Sequence, residues 1–299
     1  MRRWWPIVLG GLAVLAGVTA CGRPGPISGH PAPVPGTRQS GKYLGYAGPA
    51  ADLSAFAAHA GVQPDMITQY VQPTDRFTAP PAGVTPLVSL ATTLAPAAIL
   101  AGADDRQLTA FGRQLAAYGK PVVLSVDPEG NGPWNSYGTQ HATPGQYVAI
   151  YRHVHDVITK AGARDITWVW TISNSPPITH ESLLKSLYPG DAYVDWIGID
   201  GYFVGSENSY QQVFTRVFNE ARSFTGRPFL VTETSVQPGP YAARWVDELF
   251  SGIEADPAVV GFVWFDYDKA AVNRDDWRLE DDPAAAAAFR AAAAGYRKA

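Results

Sequence analysis

The sequence predicts an α/β protein, a single closed (β/α)8 TIM barrel over residues 42–299, and three observations predict it. Eight apolar runs alternate with helical patterns along that span. The runs are apolar on consecutive residues, as parallel strands buried on both faces are. No glycine-rich dinucleotide fingerprint accompanies them, which favours a closed barrel over a doubly wound open sheet.

In chain order the strand runs are "YLGYAG" from Tyr43, "MITQYV" from Met66, "TPLVSLAT" from Thr85 and "PVVLSV" from Pro121. They continue with "ITWVWTIS" from Ile166, "VDWIGIDGY" from Val194, "PFLVTETS" from Pro228 and "VVGFVWFDYD" from Val259. Before the fourth run, "DDRQLTAFGRQLAAYGK" sets Leu108, Phe111, Leu115 and Tyr118 on one helical face, with acids at the start where a helix dipole favours them. After it, "TPGQYVAIYRHVHDVITKAG" places Tyr147, Ile150, Tyr151, Val154 and Ile158 at helical spacing, and Gly162 supplies a stop. The alanine-rich tail from Pro283 to Ala299 reads as the last helix. Trp168, Trp170 and Trp196 lie inside strands and are expected in the core.

The chain begins "MRRWWPIVLGGLAVLAGVTACG", a basic start followed by an apolar run from Ile7 to Val18 that is too short to span a bilayer. Residues 1–21 are expected to be a lipoprotein signal peptide, because "VTAC" resembles a bacterial lipobox and ends at Cys21, the one cysteine in the sequence. Cys21 would then carry the lipid, and the protein would be extracytoplasmic and held to the bacterial cell membrane. Residues 22–41, rich in proline and glycine, read as a flexible tether.

With 46% hydrophobic and 12% aromatic residues the chain has ample material for a large core. A net charge of −4 provides no basic footprint for nucleic acid. One cysteine excludes a disulfide framework within the chain. His153 and His155, two apart on a helix, point to different faces, so no metal site is expected there.

In such a barrel the chemistry sits at the C-terminal ends of the strands. The fourth run ends at "DPEGNG" with Glu129, the sixth at "DGY" with Asp200 and Tyr202, and the seventh at "TETS" with Glu233. The eighth carries Trp264 and then Asp266 and Asp268. Two glutamates projecting into one mouth suit retaining glycoside hydrolysis, in which one acid protonates the leaving oxygen and one carboxylate attacks the anomeric carbon. Tyr202 is placed to donate to the nucleophile. Trp134 and Trp264 are expected to stack on sugar rings. Asp127 is expected as a hydrogen-bonding partner near Glu129. The acidic run from Asp275 reads as a solvated loop whose Trp277 and Arg278 could border the cleft.

The ordered pieces "GADDRQLTAFGRQLAAYGKPVVLSV", "PEGNGPW", "VHDVITKAGARDITWVW", "YPGDAYVDWIGIDGY", "VTETS" and "VWFDYDKAAVNRDDWRL" resemble glycoside hydrolase family 26, best known for β-mannanases. The resemblance implies Glu129 as acid/base and Glu233 as nucleophile, with Asn131, Trp134, Tyr202 and Trp264 at the sugar site. It implies a β-linked polysaccharide or oligosaccharide as substrate, with no cofactor, and a monomer is expected. Where family members carry arginine and histidine before the acid/base, this chain has Ser125 and Pro128, so the sugar stays open. Two other readings fit parts of the sequence. One is a carbohydrate-binding lipoprotein that keeps the barrel without turnover. The other is a two-lobed solute-binding lipoprotein, against which the unbroken count of eight strands argues.

Overall fold

The computed structural model describes residues 41–174, 181–205, 208–269 and 276–296. The leader, Cys21 and all of the tether except Gly41 lie outside these residues. Eight parallel strands close into one barrel in sequence order. They are β1 (Tyr43–Ala47), β2 (Met66–Val71), β3 (Thr85–Leu90), β4 (Val122–Val126), β5 (Ile166–Ser173), β6 (Trp196–Asp200), β7 (Phe229–Thr234) and β8 (Val259–Phe265). Each falls within a predicted run. Closure pairs Tyr43 of β1 with Gly261 of β8. A Cβ on Gly261 would stand 2.4 Å from the Tyr43 carbonyl oxygen, and its φ of +151° is one that side chains resist, so only glycine lets the strands meet there.

The helices are α1 (Leu53–Ala60), α2 (Pro96–Leu100), α3 (Asp105–Tyr118), α4 (Pro144–Lys160), α5 (Glu181–Leu187), α6 (Arg216–Arg222), α7 (Ala242–Ala255) and α8 (Pro283–Tyr296). The helix α4 begins with a capping box: Thr143 accepts from the Gln146 amide while the Gln146 side chain accepts from the Thr143 amide. It buries the five residues that its periodicity selects.

The strict alternation fails at one place. Residues 72–84, between β2 and β3, form no helix; Pro73, Pro80 and Pro81 remove amide donors and break helical hydrogen bonding. Instead Phe77 docks its ring edge-on to Tyr118 of α3, with centroids 5.0 Å apart. The compensation follows β3, where α2 and α3 stand in series.

The apolar side chains divide into two shells. Inside the barrel lie Tyr43, Met66, Leu87, Val169, Trp196 and Val263. Between strands and helices lies the larger shell, including Trp168 against His155 and Trp170 against Tyr188. The three strand tryptophans are therefore core. Toward the C-terminal ends of the strands the interior changes from hydrocarbon to hydroxyl: Thr68, Ser89, Ser125, Thr171 and Thr232 surround Asp200. This polar layer is the floor on which the site stands. Among the described residues no helix is long and apolar enough to cross a membrane.

Candidate active site

The C-terminal ends of β2, β3, β6 and β7 and the loop after β4 enclose a cleft of about 340 Å³, with Tyr70, Ser89, Pro128, Glu129, Asp200 and Glu233 in its lining. The structure therefore brings both glutamates to one cavity.

Glu129 enters through an unusual turn. Asp127 and Glu129 have φ of +44° and +57°, and they are the non-glycine residues with positive φ among those described. Each such residue costs on the order of 1–3 kcal/mol and persists only where its surroundings over-determine it. Here they do. The Asp127 amide donates to Leu90 O at 2.8 Å and the Glu129 amide to Thr171 O at 2.9 Å, tying the turn to both neighbouring strands. Tyr147 donates its hydroxyl to Asp127 O at 3.0 Å. Pro128 O accepts from Asn135 Nδ2 at 3.2 Å.

The Asp127 carboxylate does not serve Glu129 in the way expected. It is fully buried, and both oxygens are held by Thr92, Oδ1 from the amide at 2.7 Å and Oδ2 from the hydroxyl at 2.9 Å. Burial pushes its pKa up to about 7, with the Thr92 donors acting against that rise. Asp127 anchors the turn.

Beyond the turn, "EGNGPW" builds the roof over Glu129. A Cβ at Gly130 would strike the Tyr147 ring, and one at Gly132 would come within 2.3 Å of the Trp134 ring. Glycine therefore lets the indole fold back, and Trp134 Nε1 donates to Glu129 Oε2 at 2.7 Å. Trp134 is 49% exposed, so its face is open to a ligand.

Glu233, half-buried at the end of β7, accepts from two phenols. Tyr202 donates to Oε2 at 2.6 Å and Tyr70 to Oε1 at 2.7 Å. Burial raises the Glu233 pKa, while both hydrogen bonds and the Lys269 ammonium lower it. The Tyr202 ring is packed against Phe265 and Trp277 at 5.7 and 5.1 Å. Trp277 thus stands behind Tyr202 and is not part of the cleft lining. Arg278 instead pairs with Asp276 and Asp281, so the part of the acidic loop that is described is internally paired.

Asp200 pairs in register with Glu233 across β6 and β7, beside an irregularity that follows Ile199. It is buried and accepts from Thr232 Oγ1 at 2.6 Å. Burial first, then the charges of Glu233 and Glu129, drive its pKa well above the usual carboxylate range. Asp200 therefore sits beneath the two glutamates in surroundings that favour its neutral form.

Two expected sugar contacts lie elsewhere. Trp264 is buried in the outer shell, 5.0 Å from Phe289 of α8, because successive strand residues face opposite sides and it is Phe265 that faces inward. Asn131 is buried with its amide closed on the Ser173 backbone, donating to the carbonyl at 2.7 Å and accepting from the amide at 2.9 Å. It clamps the loop to β5. The histidines part as expected, His153 to Asp105 of α3 and His155 to Asp156 and Trp168. Sequence reasoning missed Tyr70. Its signal was the spacing in "MITQYV", where Met66, Thr68 and Tyr70 share one face.

Residues 103–231 match the sequence profile described as Glycosyl hydrolase family 26. Endoglucanase H of Acetivibrio thermocellus is 32% identical over 204 residues, 64% of this chain and 22% of that protein. Beta-1,3-xylanase TXYA of a Vibrio species is 31% identical over 129 residues, 42% of this chain and 25% of that protein. The matched region thus spans about a quarter of either relative's length. Among solved structures, a GH26 beta-mannanase from Bacteroides ovatus shares the fold, with a TM-score of 0.67 at 15% identity over 87% of this chain and 90% of that one. The solved structure shows a shared fold, and the profile and the relatives show the sequence likeness.

Proposed function

We propose that this chain is a family 26 glycoside hydrolase, a retaining endo-β-glycosidase acting on a β-linked polysaccharide, β-mannan or a related β-glucan or xylan. The observation that carries the reading is the pairing of Glu129 and Glu233 in one cleft, the first roofed by an indole donor and the second held by two phenols. Named activities among the relatives, an endoglucanase, a xylanase and mannanases, all concern β-glycans, which supports the substrate class.

The chemistry follows from the placement. A Glu233 oxygen attacks the anomeric carbon as the glycosidic bond breaks, and the leaving oxygen takes the proton of Glu129. Glu129, now a carboxylate, removes a proton from water. That water attacks the same carbon and releases Glu233. The phenols suit the nucleophile's role, since donors to a carboxylate favour its charged form against the cost of burial.

Incubation with β-mannan, β-glucan and xylan panels, with product anomers followed by NMR, tests the reading. Release of the β-anomer first is expected, and Glu233→Ala should abolish it. Wild-type cleavage by that variant, or no cleavage of any glycan, defeats the proposal; oligosaccharide binding without cleavage would point to a carbohydrate-binding protein.

Lipid anchoring through Cys21, and with it an extracytoplasmic location, is the second part of the proposal and is supported by the leader sequence alone. Metabolic labelling with an alkynyl fatty acid should mark the wild type and leave Cys21→Ala unmarked; equal labelling of both would refute it.

A further inference from the structure

Both oxygens of Glu233 are occupied, Oε1 by Tyr70 and Oε2 by Tyr202. A carboxylate oxygen that forms a bond to carbon must weaken its hold on a hydrogen-bond donor. One phenol has to yield, and the two are unequally fixed. Tyr202 is wedged between Phe265 and Trp277, and its neighbours are sewn to β7 by Gly201 N to Glu233 O at 3.0 Å and Phe203 N to Ser235 O at 3.1 Å. Tyr70 has its backbone paired with Ser89 of β3, so the difference lies in the side chain, which is 42% exposed and meets the Tyr267 ring at 6.2 Å.

The cleft wall gives the freed phenol a task. Glycosidases of this type gain from hydrogen bonds to the hydroxyl beside the anomeric carbon that strengthen in the transition state. Pro128, which precedes Glu129 in the cleft lining, has neither an amide hydrogen nor a side-chain donor. Asp127, before it, is committed to Thr92. The Tyr70 hydroxyl is a donor already in contact with the reacting oxygen and least held by packing.

We propose that Tyr70 is a catalytic residue that exchanges partners during the reaction, holding Glu233 Oε1 in the resting protein and passing its hydrogen bond to the sugar hydroxyl next to the anomeric carbon as Oε1 attacks. The inference rests on the glycosidase reading. Tyr70 keeps its proton throughout: the new bond joins Oε1 to the anomeric carbon, the glycosidic bond breaks, and the transferred proton is that of Glu129.

The test uses the purified full chain and nitrophenyl β-oligosaccharides built from the sugar of whichever glycan the panel shows to be cleaved. Each is made with and without the 2-hydroxyl on the unit bearing the nitrophenyl group. For the wild type, deleting that hydroxyl should lower kcat/KM by about tenfold to a hundredfold, the range expected for a hydrogen bond with charged character. Tyr70→Phe should lose a similar factor on the intact substrate and little more on the deoxy substrate. Tyr202→Phe, the comparison variant, should lose activity yet keep the full response to deletion. Equal responses in wild type and Tyr70→Phe overturn the exchange while leaving the glycosidase standing. Absence of wild-type cleavage overturns both. Should Tyr70→Phe not fold, Tyr70→His carries the comparison, because it keeps a donor that is shorter and should retain part of the hydroxyl response; an unchanged full response overturns the proposal.

Discussion

Trp134 Nε1 lies 2.7 Å from Glu129 Oε2, so the ring that offers its face to a ligand also fixes the orientation of the proposed proton donor. In the proposed reaction this side chain would join sugar binding to acid positioning. Trp134→Phe keeps most of the stacking face and removes the donor. It should lower kcat by about tenfold, as loss of a hydrogen bond to a carboxyl group does, with a smaller change in KM. Thermal unfolding should hardly move, because the residue is half exposed. A KM effect with kcat unchanged would mean that the indole only binds.

The same relationship makes Gly132 a residue of the site, although it has no side chain. An alanine methyl there would come within 2.3 Å of the indole, pushing it off Glu129. Gly132→Ala should copy the kinetic defect of Trp134→Phe, and the double variant should be no worse than the poorer single one. Additive losses would show that the two act separately.

All eight strands could be read from the chain because a strand buried on both faces writes itself as an unbroken apolar run. The same property hid which face each residue takes. Trp264 and Phe265 are equally apolar neighbours, and nothing local says which one faces the cleft. Tyr70 was obscured in a similar way, since a tyrosine within a strand reads as core until its neighbours are placed. Glu129 and Glu233 were legible because carboxylates at the ends of apolar runs stand out. The Asp127 partnership was not, because Thr92 is 35 residues away in sequence and meets it only once β3 and β4 pair. The helix missing after β2 could have been found from the prolines in residues 72–84.

Placement of Trp264 outside the cleft has a direct consequence. Its ring fills the space against Phe289, so Trp264→Ala should destabilise the fold by about 3–5 kcal/mol, the usual cost of emptying a large aromatic site. At a temperature where the variant remains folded, KM should be unchanged. Denaturant unfolding and initial-rate kinetics separate the two effects; a raised KM without loss of stability would return Trp264 to the sugar site.

Asp127 gives the strained turn its own dependence on pH. Its folded value of about 7 stands above the ordinary 3.8, so the folded protein retains a proton that the unfolded chain has released. The stability linked to that proton is full below the unfolded value and is lost as pH rises toward the folded one, by on the order of a few kcal/mol in all. Asp127→Asn imitates the protonated acid at every pH, accepting from the Thr92 amide and donating to the Thr92 hydroxyl, and asparagine tolerates positive φ. Relative to wild type the variant should therefore gain melting temperature progressively from about pH 4 to about pH 7 and level off above it. Asp200 and Glu233, also raised by burial, are present in both proteins and cancel in the comparison. A difference that stays constant across that interval would mean that the Asp127 carboxyl is already ionised in the folded state, and that the turn is held by a charge rather than by a neutral acid.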